Sequence, residues 1–174
     1  DYYWRNGWYA NPDDPRLFVQ DRFNGMNYTT NLGKPVGVYM TAAALVGTVI
    51  LLIWVCIMML RMDFIPVHLT DAGDRFEITS GYTDTEIKKS DLQSVQFLEN
   101  GLPDENFNKT NGSADEKQLL GKFEGSENGS CRMYVWLEQS EVIKIQTKKY
   151  TIFMNSKDKD QTAVWYEQLK KAEP

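Results

Sequence analysis

The chain has 174 residues and a net charge of -5, with a pI near 5.0. That length allows one domain, or one domain with an appendage, and the acidity argues against a nucleic-acid binder, which would carry a basic face. Two cysteines make no disulfide framework and a lone histidine, His68, makes no multi-histidine metal site; no cofactor and no metal are expected.

Residues 1–35 come first, as a juxtamembrane segment. Arg5, Arg16, Arg22 and Lys34 balance Asp1, Asp13, Asp14 and Asp21, and Tyr2, Tyr3, Trp4, Trp8 and Tyr9 crowd the front. Asn11-Pro12-Asp13-Asp14-Pro15 fixes two proline φ angles and favours an Asx-type turn. Leu17-Phe18-Val19 reads as one short strand and Asn24-Gly25 as a second turn. The segment is too short for a core of its own. Its aromatics place it at a membrane interface or against neighbouring helices. Asp13, Asp14, Asp21 and Asn24 lack the spacing of an EF-hand loop, and the adjacent Asp13 and Asp14 read as turn residues facing water rather than a catalytic pair.

These residues also carry a likeness. Trp4, Gly7, the run Asn11-Pro12-Asp13-Asp14-Pro15-Arg16-Leu17-Phe18-Val19, then Gly25, Thr29, Asn31 and Pro35 resemble a small uncharacterised bacterial domain found beside membrane helices. The resemblance marks Asn11, Pro12, Asp13, Asp14, Pro15, Arg16 and Phe18 as motif residues of structural kind. It implies a longer protein with further spans upstream, in keeping with a sequence that opens at Asp1 rather than methionine. It implies no chemistry.

Val36 to Leu60 is 25 residues without a charge. As a helix the run reaches about 37 Å against a hydrocarbon core of about 30 Å, so residues 36–62 are expected to span a bilayer with some tilt. Lys34 and Pro35 close one end and Arg61 the other, where it snorkels to the headgroups. Tyr39 and Trp54 lie towards the two ends. The run is too long and too far into the chain for a secretory signal, and it lacks a basic n-region. A buried core helix is disfavoured, because so short a chain has no second apolar layer to surround it. Gly37 and Gly47 are not at GxxxG spacing. Basic residues on the two flanks nearly tie, so the sequence does not orient the span.

Residues 63–174 hold 14 basic and 20 acidic residues, and therefore the acidity of the chain. Their pattern is mostly period two. Strands are expected at 75–79, 83–88, 94–98, 119–124, 132–138, 142–147 and 150–154, with residues 99–118 as a loop. Tight connections argue for antiparallel pairing. The period then changes. Ser156 is expected to cap a helix with Asp158 and Asp160 in its first turn, and Trp165 and Leu169 form an i,i+4 apolar pair. Seven antiparallel strands and a closing helix match a pleckstrin-homology-like (PH-like) barrel, with Trp165 and Leu169 plugging one open end. A small sandwich with the helix outside is the alternative. Asp91-Leu92, Asn111-Gly112, Gly121-Lys122-Phe123, Tyr134-Val135, Ile143-Lys144-Ile145-Gln146-Thr147, Asn155 and Trp165-Tyr166 with Leu169 together resemble bacterial PH-like domains, often membrane-anchored in Gram-positive bacteria. That resemblance implies a binding or scaffold module.

No residue set stands out as an active site. His68 reads as a linker residue, and Cys131 has no histidine near in sequence to activate it. Cys56 lies inside the span. No nucleophile elbow or phosphate loop is present. Lys88-Lys89 and Lys148-Lys149 are basic pairs that would hold a phosphoinositide if they meet in space, and the acidity of the domain opposes it. Asn27, Asn108, Asn111 and Asn128 begin sequons that carry no weight in a bacterial protein. The expectation is a non-enzymatic membrane-anchored interaction module. Its partners would be the bilayer through residues 36–60 and a protein or a second copy, by strand addition at a sheet edge. The alternative is a regulatory or sensory part of a transport or peptide-immunity membrane protein whose activity lies upstream.

Overall fold

The computed structural model describes residues 2–4, 7–22 and 25–173, in two compact units, Asp1–Ile57 and Met58–Pro174. The first opens with a 3-10 turn, Tyr2–Trp4. Two short antiparallel strands follow, β1 (Phe18–Gln20) and β2 (Tyr28–Thr30), paired as Phe18 with Thr30, Val19 with Thr29 and Gln20 with Tyr28. β1 starts one residue later than the sequence suggested, and β2 is an addition, since three residues are too few to show a period. Of the expected Asn24-Gly25 turn, Asn24 lies outside the described residues.

Pro35 opens α1 (Pro35–Phe64), at the position where its missing N–H costs nothing. The helix runs past the uncharged stretch because Arg61, Met62 and Asp63 are compatible with it, and Pro66 disfavours continuation. Its apolar side chains point outward, with Gly37 its one buried residue. Mean hydropathy reaches 2.7, so α1 is long and apolar enough to cross a membrane.

The second unit is mostly β. β3 (His68–Asp71), β4 (Arg75–Thr79) and β5 (Thr85–Lys88) form a three-stranded antiparallel sheet. β6 (Leu92–Leu98), β7 (Phe107–Ala114), β8 (Gln118–Gly125), β9 (Gly129–Trp136), β10 (Val142–Thr147) and β11 (Thr151–Met154) form a six-stranded sheet. Its order is β6-β10-β11-β9-β8-β7. α2 (Lys159–Lys170) closes the chain and packs on β6 and β10.

The arrangement corrects several expectations. Among the described residues of this unit there are nine strands, not seven, and they form separate sheets rather than one closed ring. One pairing is parallel. The connection from β9 to β10 skips a position, and β11 fills the gap alongside β9. The expected loop 99–118 contains β7, hidden from a polarity reading because it is an exposed edge strand. His68 belongs to β3, opposite Thr79, and is not a linker residue. The cap of α2 is Asp158, whose side chain accepts from the Asp160 amide at 3.0 Å. Ser156 acts one step earlier, its hydroxyl accepting from the Asp158 amide at 3.1 Å.

Trp165 and Leu169 are both buried, in one cluster with Phe76, Ile78, Val95, Ile145 and Ile152. A second cluster gathers Phe123, Met133, Val135, Val142 and Phe153. Burying each large side chain contributes about 1.5–3 kcal/mol. The Tyr134 hydroxyl, buried in the first cluster, is 2.6 Å from Thr85 Oγ1 and joins β9 to β5 across the two sheets.

Candidate functional site

The motif residues fold into a hydrogen-bonded knot at the start of α1, centred on Asn31. This side chain is fully buried. Its Oδ1 accepts from the amides of Asn11 and Gly33, both at 2.9 Å. Its Nδ2 donates to the carbonyls of Asn11 at 2.8 Å and Arg16 at 3.2 Å. One amide side chain thereby satisfies the backbone of a turn twenty residues away.

Asp14 supplies the second node. Its carboxylate accepts from the Tyr9 hydroxyl at 2.7 Å, from the Arg16 amide at 3.0 Å and from the Arg16 guanidinium at 2.7 Å. The Arg16 side-chain and backbone donors and the Tyr9 hydroxyl hold its carboxyl well below the usual range. Asn11 turns the chain as the sequence indicated, its Oδ1 accepting from the Asp13 amide at 3.0 Å. Lys34 Nζ donates to the Pro12 carbonyl at 2.7 Å.

Asp13 stays exposed, and Phe18 faces outward on β1. Asp14 is engaged by Tyr9 and Arg16, and Asp13 is not among its partners. Among the described residues no group of three or more His, Cys, Asp or Glu is placed to hold a metal.

The knot is locked onto the helix. A Cβ on Gly37 would lie 2.0 Å from the Asn31 carbonyl oxygen, so only glycine lets β2 approach the first turn of α1. Sequence reasoning weighed Gly37 for helix dimerisation alone. It also missed the role of Tyr9, which lies outside any periodic run, and that of Asn31, whose partner Asn11 is twenty residues away.

Residues 12–38 match the model of a family of unknown function, DUF5808. The match covers the knot from Pro12 onward and the first turn of α1, and no more of the chain. No curated protein and no solved structure matches this sequence.

In the second unit the exit of α1 is held. A Cβ on Gly81 would meet the Arg61 carbonyl oxygen at 1.8 Å, and Gln118 Nε2 donates to the Met62 carbonyl at 3.3 Å. Beside this contact lies a small cavity of about 60 Å³, walled by Ile65, Pro66, Val67, Leu120 and Trp136. That is room for about two waters, well short of an ordinary ligand pocket. Lys157 stacks over the Trp136 ring at 4.1 Å.

Two of the four lysines considered for phosphate are occupied. Lys89 pairs with Asp71 at 2.8 Å, and Lys148 donates to the Ser90 carbonyl at 2.8 Å, 3.8 Å from Asp91. Lys149 and Lys88 line a shallow pocket whose other walls include Glu86 and Asp91. Cys131 is buried, its S–H pointing to the Gly129 carbonyl at 3.2 Å, and burial pushes its pKa up to about 11, the opposite of an activated thiol.

Glu105 shapes the turn between β8 and β9. Its carboxylate accepts from the amides of Glu127 at 2.7 Å and Asn128 at 3.1 Å, and from the Asn128 side chain. Burial pushes its pKa up, but these donors outweigh that and hold it below its ordinary value. A depressed carboxylate pKa stabilises the fold above the unfolded value, about 4.3, and the contribution disappears as pH falls through the lower folded value. Glu105→Gln should therefore flatten the acid limb of the stability curve below about pH 5. Urea melts at graded pH check this; parallel acid limbs in variant and parent would refute it.

Proposed function

We propose that the chain is a non-enzymatic, membrane-anchored interaction module, with α1 crossing the bilayer and the domain beyond it, residues 63–174, serving as a PH-like protein-binding or self-associating unit of bacterial type. The observation that carries the reading is α1, thirty residues long, whose most hydrophobic stretch no described residue covers and water would not tolerate. Two sheets followed by a closing helix, with Trp165 and Leu169 inside, support the PH-like part. Lys89 and Lys148 are engaged with carboxylates and carbonyls, and Lys88 and Lys149 stand beside Glu86 and Asp91, which favours a protein partner over a phosphoinositide.

The docking edge is β7. The other edge of the six-stranded sheet, β6, has Lys170 over the Val95 carbonyl at 3.5 Å, whereas β7 presents Asn108, Lys109, Thr110 and Asn111 outward. An open edge invites another strand. Alkaline extraction of cell membranes tests the anchor: the protein is expected to stay in the pellet, and release into the supernatant would overturn it. Cross-linking through Asn108→Cys in vesicles tests the edge, with density-dependent dimers expected and none at any density against it.

A second reading, a regulatory domain of a larger membrane protein, is favoured by the close packing of Arg61 on Gly81. That contact would couple a displacement of the helix end directly to the β domain.

A further inference from the structure

The knot that matches DUF5808 has no assigned role, and its internal hydrogen bonds leave no side-chain constellation for chemistry. Beside the exposed polar side chains of Asp13, Arg16, Gln20 and Asn27, it leaves four large apolar side chains outward. Phe18 is 52 % exposed, Tyr28 70 %, Met26 90 % and Trp8 49 %. Phe18 and Gln20 are two apart on β1 and face the same side. Their partners Thr30 and Tyr28 share that side, so Phe18 and Tyr28 sit diagonally on one open face of the hairpin. Met26 follows at its tip. A two-stranded hairpin is marginal in water, and an open aromatic face on one needs a covering.

The attachment to α1 fixes the level of that face. β2 packs at Gly37, the second residue of the uncharged run, so closely that a Cβ there would come 3.2 Å from Thr30 Cγ2 and 2.0 Å from the Asn31 carbonyl oxygen. The hairpin therefore lies beside the first turn of the helix, not on a tether beyond it. The uncharged run exceeds the hydrocarbon thickness by about 7 Å, or roughly five residues. With Arg61 at the far headgroups and α1 held upright by the hairpin rather than tilted to take up the excess, the excess falls on 36–40, the turn that carries the hairpin. A folded segment of this size has a radius of gyration of about 8 Å, and the interfacial layer is about 5–8 Å deep on each side. Tyrosine and tryptophan favour that layer, where an apolar ring meets a wet rim.

We propose that the segment matching DUF5808 is a membrane-interface collar: Asn31, Asn11 and Asp14 lock a hairpin to the first turn of α1 so that Phe18, Met26 and Tyr28 lie in the lipid headgroup layer. The proposal rests on the reading that α1 spans the bilayer, and it adds that the motif sets the depth and tilt of the helix.

The test uses the full chain carrying Cys56→Ser and one environment-sensitive fluorophore, at Phe18→Cys, Tyr28→Cys or Val46→Cys. Cys131 stays in place, because a buried thiol with a raised pKa does not label in the folded protein. The protein is reconstituted in vesicles of phosphatidylcholine and phosphatidylglycerol containing brominated lipids. Probes at 18 and 28 are expected to be blue-shifted and quenched most by bromines near the glycerol end of the acyl chain, and the probe at 46 by bromines near the methyl end.

Unshifted emission at 18 and 28 with a quenched probe at 46 overturns the collar and leaves the span standing. A shifted probe at 28 that no bromine quenches means a protein covers the face, and also overturns it. An unquenched probe at 46 removes the span and the collar with it. Gly37→Val, which cannot accept β2 at that distance, is expected to return the probe at 28 to water while the probe at 46 stays quenched. An unchanged shift at 28 in that variant would show that docking at Gly37 does not set the depth.

Discussion

Asn31→Asp is expected to unfold the knot in residues 9–34. The native side chain presents two N–H donors to the Asn11 and Arg16 carbonyls and one oxygen to the Asn11 and Gly33 amides. An aspartate keeps the acceptor and replaces the donors with a second oxygen facing carbonyl oxygens in a fully buried site. Each buried group left without a partner costs about 1–3 kcal/mol, so two orphaned carbonyls and a desolvated carboxylate together cost about 4 kcal/mol. A segment below roughly 40 residues has no core to absorb that loss. Asp13→Ala is the contrast. Asp13 is exposed and enters the knot only by its backbone amide, so an effect within about 0.5 kcal/mol is expected. Amide hydrogen exchange distinguishes the two. Asn11 and Gly33 should lose protection in Asn31→Asp and keep it in Asp13→Ala; protection retained in both would show that another contact holds the turn.

What the sequence disclosed follows the range over which each signal acts. α1 was legible because 25 consecutive residues lack charge, a local property that needs no partner. The Asn11-Pro12-Asp13-Asp14-Pro15 turn was legible for the same reason, but Asn31, which holds it, was only a motif position. Its contact spans twenty residues and leaves no period. β9 alternates and was readable, whereas β7 reads Phe-Asn-Lys-Thr-Asn-Gly-Ser-Ala and looks like a loop because an edge strand need bury little. Strand order is further out of reach. β11 is buried along its whole length, as expected of a central strand, but nothing in Thr151–Met154 says that β9 is its parallel neighbour. The helix cap was misplaced by two residues because Ser156 and Asp158 are both good capping residues, and only the backbone decides between them.

Gly81→Val is expected to release the exit of α1 from the β domain. A Cβ at residue 81 would meet the Arg61 carbonyl oxygen at 1.8 Å and its carbon at 2.4 Å, and neither is the end of a flexible side chain that can swing away. The same oxygen accepts from the Ile65 amide at 3.0 Å in the last turn of the helix, so the turn must move as a body. Overpacking costs about 1–3 kcal/mol, and a backbone obstacle places this case at the upper end, about 3 kcal/mol. Gln118 would lose the Met62 carbonyl, and the small cavity beside Ile65 and Val67 would open to water. Gly47→Val supplies the control on the same helix, since a Cβ there meets nothing within 4 Å. Limited proteolysis in lipid vesicles should cut Gly81→Val between residues 62 and 67 and leave Gly47→Val as resistant as the parent, with a lower urea midpoint for the first variant alone. Equal resistance in the two would mean that the helix end does not rest on Gly81, and the regulatory reading would lose the contact on which it depends.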